Sequence, residues 1–313
     1  MPQTIIEYLR QEAVQELFKM KTFSTTWTVW QSDIQRRINP LNANNVVNIG
    51  DNLADIFRLT GVAGRSQSNV AGGGNAWEGL VCWYLNLCLI GSRTVVIKQN
   101  KALLPTPVRE SLTVSYGTFP SNTESDLVAI TFPDKDDYTT LDKFSITIRD
   151  DSGNLIPTSK RGKFNYLDII DALLNRDFND SEIGVIQCKT NWNDNAQIPM
   201  LWDMIYSSRG FSRHSITVGN SSYSINHIKK FSYSFVTVPT VDVSKINHNS
   251  TCVRRVQNLS GGNYWGHPSK AAVANSIKDM FGRNFASAST VSLTARLNGE
   301  LPNLRTIYSY FNI

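Results

Sequence analysis

Polar side chains lie at the ends of two apolar strands that the sequence predicts near the middle of the chain. Asp126 opens the strand predicted over Asp126–Phe132. A second predicted strand, Ile183–Lys189, ends in a Gln-x-Lys sequence. Because side chains alternate along a strand, Gln187 and Lys189 share one face. A carboxylate, an amide and an amine therefore form a candidate site, provided that the two strand ends meet in space.

A further carboxylate lies in the most apolar helix that the sequence predicts. This helix covers residues 75–91, NAWEGLVCWYLNLCLIG, and we expect Asn75 to cap it. Glu78 is the only charged residue between Arg65 and Arg93. A carboxylate on so apolar a helix needs a partner, a metal or water. Alternatively, Glu78 lies in an exposed first turn, where the helix dipole favours an acid.

The order of helices and strands predicts the fold that would position these residues. Hydrophobic periodicity predicts helices over residues 3–20, Asp51–Leu59, Tyr166–Leu174, Ala196–Tyr206 and Pro268–Phe281. Strands are predicted over Arg93–Lys98, Asp126–Phe132, Lys143–Arg149, Ile183–Lys189, Phe231–Val238 and Cys252–Gln257. This order indicates an α/β protein with a mixed central sheet flanked by helices.

Length and charge suggest how the chain is organised. A chain of 313 residues is long enough for two domains or one elaborated domain. We interpret residues 1–70 as an N-terminal helical segment and residues 71–313 as the main domain, with an acidic insertion at about 133–182. The insertion holds 7 basic and 11 acidic residues, whereas residues 201–313 hold 12 and 4. The basic excess is therefore C-terminal.

Composition excludes several classes of protein. Hydrophobic residues make up 41% and charged residues 18%, which excludes disordered chains, collagen and coiled coils. No apolar run reaches the roughly 18 residues of a membrane helix, and the first residues do not resemble a signal peptide. The four cysteines are scattered without a CxxC pair, which argues against a zinc ribbon or a disulfide framework. We expect a cytoplasmic protein.

The arrangement of the candidate residues resembles a known family. The predicted elements follow one another in this order: a helix with Glu78, a strand, a strand opened by Asp126, a strand and a helix, a strand ending in Gln-x-Lys, a helix and a strand. This order is similar to the core of the PD-(D/E)xK nucleases, specifically type II restriction endonucleases, over roughly residues 75–260. The resemblance implies that Asp126 binds metal, that Gln187 stands at the second acidic position and that Lys189 is the motif lysine. Glu78 matches the helix glutamate that some members use as an extra ligand.

The implied chemistry explains why such residues are needed. Phosphodiester hydrolysis requires stabilisation of negative charge and activation of water, and Mg²⁺ supplies both. Mg²⁺ retains several waters and takes one or two carboxylates, a main-chain carbonyl and a phosphate oxygen. The metal-binding set that the resemblance implies is Asp126, Gln187, Cys188 and Glu78, although the Cys188 side chain alternates toward the core. Lys189 would orient the attacking water and hold the phosphate.

Two departures from the family pattern affect this prediction. Gln187 is neutral, so its amide oxygen can coordinate a metal without supplying charge, and Glu78 or Glu124 could restore the charge. Asp126 and Gln187 are separated by 61 positions, which is wider than the family's usual spacing. We therefore expect the acidic segment to be an insertion between the two motif strands.

The C-terminal third also contains candidate DNA contacts. Its cations alternate with aromatic residues, which is compatible with a phosphate-contacting face or with an ordinary solvated surface. We predict Arg254 and Arg255 as DNA-binding residues. In the loop Thr190–Gln197, the amides could pair with adenine or contact phosphates, or they could simply favour a turn. The candidates in that loop are Asn191, Asn193 and Asn195.

These expectations combine into a Mg²⁺-dependent type II restriction endonuclease that acts on double-stranded DNA. A homodimer is expected because a two-fold pair suits the cleavage of both strands at a symmetric site. One alternative is a DNA repair or structure-specific nuclease on the same core. Another is a DNA-binding protein with a degenerate nuclease centre, an interpretation that the neutral Gln187 motivates.

Overall fold

The computed structural model describes the backbone of residues 3–60, 70–100, 102–122, 125–190, 196–208, 215–239 and 242–313. Its helices are α1 (Ile5–Lys19), α2 (Lys21–Arg37), α3 (Ala43–Arg58), α4 (Val70–Cys88), α5 (Thr106–Ser111), α6 (Asp136–Thr139), α7 (Tyr166–Asp177), α8 (Gln197–Ser207), α9 (Thr251–Val256), α10 (Asp279–Arg283) and α11 (Leu293–Glu300). The strands are β1 (Thr94–Lys98), β2 (Thr113–Tyr116), β3 (Phe119–Asn122), β4 (Leu127–Thr131), β5 (Ser159–Lys160), β6 (Lys163–Phe164), β7 (Glu182–Lys189), β8 (Ile216–Val218), β9 (Lys230–Thr237), β10 (Gly262–Trp265) and β11 (Asn275–Ser276).

A six-stranded mixed sheet forms the centre of the fold, in the order β1-β4-β7-β9-β10-β11. The pairs β1–β4 and β4–β7 are antiparallel, whereas the pairs β7–β9, β9–β10 and β10–β11 are parallel. Strands β2, β3 and β8 form a smaller sheet, and β5 and β6 form a hairpin. The predicted α/β class, with a mixed central sheet, is confirmed at this level.

Helices cover both faces of the central sheet because side chains of its strands alternate between two hydrophobic cores. Leu127 and Ile186 belong to a first core with α2, α3, α4 and the C-terminal residues after 277. Val128 and Val185 belong to a second core with α7 and α9. Helix α1 contributes to both cores. No helix within the described ranges is long and apolar enough to cross a bilayer.

Strand β1 is fixed to the helices beside it by buried polar side chains. The Asn86 side chain accepts a hydrogen bond from the Val96 N–H (3.1 Å) and donates one to the Val96 carbonyl (2.6 Å). Arg10, completely buried, donates to the carbonyls of Thr94 (2.8 Å) and Ser92 (2.9 Å). Helices α1 and α4 are therefore held in register with β1.

Most of the predicted elements near the candidate site are confirmed, whereas two predicted strands elsewhere were wrong. Residues Lys143–Arg149 form a short 3₁₀ turn and irregular chain instead of a strand. Ile146 and Ile148 are buried, so the alternating pattern reflects burial in the second core without strand pairing. Segment Cys252–Gln257 is largely helical because Cys252, Val253 and Val256 bury one helix face.

The ends of two predicted helices also differ in the structure. Between Pro268 and Phe281, only the last residues are helical, because Asn275 and Ser276 instead pair with β10 as strand β11. Helix α4 begins at Val70, so Asn75 lies inside it and does not cap it. Glycine weakens a helix without forbidding one, and the apolar face that follows outweighs this penalty.

Candidate functional site

Asp126 and Lys189 meet where strand β4 begins and the adjacent strand β7 ends, on one side of the central sheet that we call its catalytic edge for the proposal below. Strands β4 and β7 are antiparallel, so the residue before Leu127 lies beside the last residues of β7. The Asp126 Oδ2 atom accepts a hydrogen bond from the Cys188 N–H at 2.7 Å. The Lys189 Nζ atom lies 3.6 Å from the same oxygen. The expected juxtaposition of these two strand ends is therefore present.

A second ion pair lies next to this one. Lys98 ends β1 and is the register partner of Leu127, the residue after Asp126. The Lys98 ammonium bonds directly to the Glu78 carboxylate and donates to Asn75 Oδ1 at 3.1 Å. The side chain of Glu78 is only 15% exposed, so the alternative of a solvated first-turn acid does not hold. Glu78 has a cationic partner, one of the three surroundings expected for it.

The two carboxylates are close enough to affect each other electrostatically. Burial raises the pKa of Asp126 from 3.8 to about 6, and the negative charge of Glu78 contributes to this rise. Lys189, the Cys188 N–H and Lys98 oppose it. The site therefore contains two carboxylates and two lysines, and Asp126 would gain from an additional cation.

Cys188 contributes its main chain to the site and its side chain to the core. Its thiol is buried in the first hydrophobic core, as alternation along β7 predicts. Burial raises the pKa of this thiol well above 9, with further contributions from Asp126 and Glu78. The sulfur is therefore protonated at neutral pH in the metal-free protein, and the main chain of Cys188 is the part that faces Asp126. A metal contact from Cys188 stays a prediction.

Gln187 lies deeper in the sheet than the other candidates. Its side chain is completely buried, and its Oε1 atom accepts a hydrogen bond from the Tyr233 hydroxyl at 3.0 Å. Its Nε2 atom has no partner among the described residues. Among the described residues, no hydrogen bond or ion pair joins Gln187 to Asp126 or Lys189. A ligand role for Gln187 stays a prediction.

The donor set is compatible with a hard divalent cation that keeps much of its water. Within the described ranges, no group of three or more His, Cys, Asp or Glu side chains converges as a metal cage. Glu78 and Asp126 supply the one or two carboxylates that suffice for Mg²⁺ when waters and a phosphate complete its shell. Burial first and the charge of Glu78 second raise the pKa of Asp126, so an added cation near these two acids would be favourable. Glu124 lies outside the described residues.

Two of the five predicted DNA contacts, Arg254 and Arg255, are among the residues that the structure describes. Asn191, Asn193 and Asn195 lie outside the described residues. Arg254 is exposed on α9 and lines a cleft near β11, whereas the adjacent Arg255 is half-buried and does not line that cleft. Neither arginine forms an ion pair with a described residue.

Lys98 is the functional candidate that sequence reasoning missed. It ends the apolar run Thr-Val-Val-Ile-Lys, as Lys189 ends β7. A lysine that ends a buried strand next to an acidic position was the available signal. Its use depends on knowing that β1 and β4 are neighbours, because only the pairing places Lys98 beside Asp126.

A scan against protein-family models finds no match to the chain, and a search of curated proteins finds none either. The assignment of a function therefore depends on the geometry and chemistry of the four charged residues at the sheet edge.

Proposed function

We propose that the chain is a Mg²⁺-dependent endonuclease of the type II restriction class, which hydrolyses phosphodiester bonds of double-stranded DNA at a specific sequence as a homodimer. The observation that carries this proposal is the contact between Asp126 and Lys189 beside the Glu78–Lys98 pair. The order α4, β1, β4, α7, β7, α8 and β9 supports a restriction-endonuclease-like core. That core is the finer fold assignment that we propose.

Each residue has a chemical role in this proposal. Asp126 and Glu78 would hold Mg²⁺, which when bound polarises the phosphate and lowers the pKa of an attacking water. Lys189 lies within ion-pair distance of Asp126 Oδ2, so its ammonium can orient the water and contact a non-bridging phosphate oxygen. Gln187 positions β7 against β9 through its hydrogen bond to Tyr233.

Lys98 has a separate positioning role. In the structure its ammonium neutralises Glu78 and lowers the pKa of Asp126. This pair keeps two buried carboxylates from facing each other without a cation. With Glu78 engaged in holding a metal, the Lys98 ammonium would be available for a substrate phosphate, which is a favourable partner for a partly buried cation.

A DNA-binding protein without catalysis is the second candidate. The specific observation in its favour is that the Gln187 oxygen, which would occupy the second acidic position, already accepts a hydrogen bond from Tyr233. The site then contains two carboxylates, and each of them has a lysine partner. Such a centre could bind DNA through its cations while binding metal too weakly for hydrolysis.

Cleavage of supercoiled plasmid and long linear DNA, with Mg²⁺ or with EDTA, separates these functions. Discrete Mg²⁺-dependent fragments are expected from a restriction enzyme. Cleavage of branched or damaged substrates alone would indicate a repair nuclease, and binding without cleavage would refute both enzyme proposals.

A matched pair of variants tests the site itself. Lys189→Met should abolish cleavage, whereas Lys160→Met should leave it unchanged. Lys160 is a suitable control because it also pairs with an aspartate, Asp168 at 2.9 Å, but lies on the exposed β5–β6 hairpin. Full activity of Lys189→Met would show that the centre is misplaced.

A further inference from the structure

A second charged cleft lies near β11, at the far edge of the central sheet. Its volume is about 720 Å³, within the range of roughly 300–1,000 Å³ that is usual for binding clefts. The side chains that define its charge are His248, Arg254, Lys270 and Arg283. Amide, hydroxyl and alanine residues and Val273 complete the lining, and neither an acidic residue nor a Phe, Tyr or Trp is part of it. The cleft is therefore polar and positively charged.

The two arginines of this cleft have no acidic partner among the described residues, although Asp242 is close enough to interact electrostatically with Lys270. The guanidinium groups of Arg254 and Arg283 are exposed and form no hydrogen bond or ion pair with any described residue. Lys270 donates to the Ile246 carbonyl at 2.6 Å, which fixes its ammonium without removing its charge. By contrast, both lysines at the candidate active site pair with carboxylates. An anionic partner from outside the chain would complete the cleft.

The cleft opens near the sheet face that carries Gln187. Asn263, one of its lining residues, is the register partner of Phe235 on β9, and Phe235 is the partner of Gln187 on β7. Residues in register on adjacent strands point to the same face of a sheet. Two strand spacings of about 4.8 Å place Asn263 about 10 Å from Gln187. The cleft is thus a near neighbour of the catalytic edge.

The lining selects the chemical class of the ligand. The cleft has no Phe, Tyr or Trp that could serve as a large stacking platform for successive bases, and His248 supplies the one aromatic ring in its lining. Arginine guanidinium groups match phosphate oxygens in a planar, bidentate geometry. The geometry points to a second DNA contact, in which this cleft binds the phosphate backbone of duplex DNA to one side of the scissile bond. The identity of the polyanion as duplex DNA rests on the proposed function, whereas the excess of positive charge does not.

Salt-dependent binding of a short fluorescent DNA duplex, measured in EDTA to prevent cleavage, tests this inference. Each phosphate contact contributes about 0.9 to the slope of log K against log salt concentration. The variant Arg254→Ala/Arg283→Ala should therefore reduce the steepness of this slope by about 1.8. The charge-preserving variant Arg254→Lys/Arg283→Lys should retain most of the slope.

The control variant is Lys163→Ala/Arg305→Ala. Both residues are exposed, lie outside the cleft and form no ion pair with a described residue. An equal slope for this control and for Arg254→Ala/Arg283→Ala would overturn the inference. The inference would also be overturned if Arg254→Ala/Arg283→Ala lost binding to single-stranded RNA or to inorganic phosphate but bound duplex DNA as the wild type does.

A parallel cleavage assay separates the two proposals. If the wild-type chain binds duplex DNA through the cleft but never cuts it with Mg²⁺, the cleft stands and the nuclease proposal fails. If the chain cuts DNA while the arginine variant keeps the wild-type slope, the nuclease proposal stands and the cleft inference fails.

Discussion

Replacement of Asp126 by asparagine should stabilise the metal-free protein above pH 6 while it abolishes cleavage. Asparagine keeps an oxygen that can accept the hydrogen bond from the Cys188 N–H, which the carboxylate accepts at 2.7 Å. It removes the negative charge that burial and Glu78 disfavour. Function and stability therefore make opposite demands at this position, as is common in active sites.

The size of the effect follows from the pKa of Asp126, which is raised from 3.8 to about 6. At about 1.36 kcal/mol for each tenfold change in the protonation equilibrium, this rise corresponds to about 3 kcal/mol. The sign is fixed by linkage. Between these pH values the folded state holds the proton that the unfolded state has already lost, so stability falls as the pH rises. The penalty is complete above about pH 6 and absent below about pH 4.

Urea denaturation in EDTA at pH 4 and at pH 8 provides the measurement. The free energy of unfolding of Asp126→Asn should exceed that of the wild type by about 2 to 3 kcal/mol at pH 8 and should equal it at pH 4. Asp168→Asn is the control, because Asp168 also pairs with a lysine but its pKa is lowered by its hydrogen bond to Lys160. That variant should show no gain at pH 8.

A loss of stability in Asp126→Asn at pH 8 would refute this reasoning. It would mean that Asp126 is mainly a structural partner of Lys189 and not a carboxylate held in an unfavourable site. Mg²⁺ offers an independent check, since a ligand stabilises the folded state that binds it. Addition of Mg²⁺ should raise the melting temperature of the wild type but not that of the variant.

Three further variants address the framework around the site. Arg10→Ala should lower the free energy of unfolding by about 3–5 kcal/mol, because it leaves buried carbonyls and a carboxylate without their cation, and urea denaturation would measure this; a loss below about 1 kcal/mol would show that the buried arginine is dispensable. Asp177→Asn should cost about 1–3 kcal/mol at pH 7, and this cost should shrink progressively as the pH falls below about 4. Burial raises the pKa of Asp177, but the hydrogen bonds from Arg176 and Lys135 lower it further than burial raises it. The contribution of Asp177 to the free energy of unfolding is therefore present above about pH 4 and is lost on acidification. This pH dependence is opposite to that of Asp126. Gln187→Glu places a carboxylate in a fully buried position and should lower the melting temperature without reducing the Mg²⁺ concentration needed for cleavage; a reduced Mg²⁺ requirement would show instead that residue 187 is a metal ligand.

The candidate site was predictable to the extent that it depends on strand periodicity. Strands β4 and β7 are rich in β-branched residues, and the polar residues at their ends identified Asp126 and Lys189. The position of Gln187 was less accessible to such reasoning. Alternation along β7 gives the face on which it lies, but its burial and its bond to Tyr233 depend on the pairing with β9.

Elements outside the candidate site show the limits of local patterns. The strand predicted over Lys143–Arg149 and the helix predicted after Pro268 both follow reasonable periodicities. Tertiary contacts override both predictions, because Ile146 and Ile148 are buried without strand partners and Asn275 pairs with β10. A helix or strand preference of a few tenths of a kcal/mol per residue is easily outweighed by such contacts.

The buried side chains of Asn86 and Arg10, which bind the main chain of β1, bear on how copies of the chain could assemble. Strand β1 is at the end of the six-stranded sheet, where unpaired N–H and C=O groups would normally invite another strand. Asn86 occupies both groups of Val96, and Arg10 occupies the carbonyl of Thr94. This edge is closed to strand addition, which protects the chain from edge-to-edge aggregation. Two copies that joined their central sheets into one would have to meet at the β11 end, next to the basic cleft.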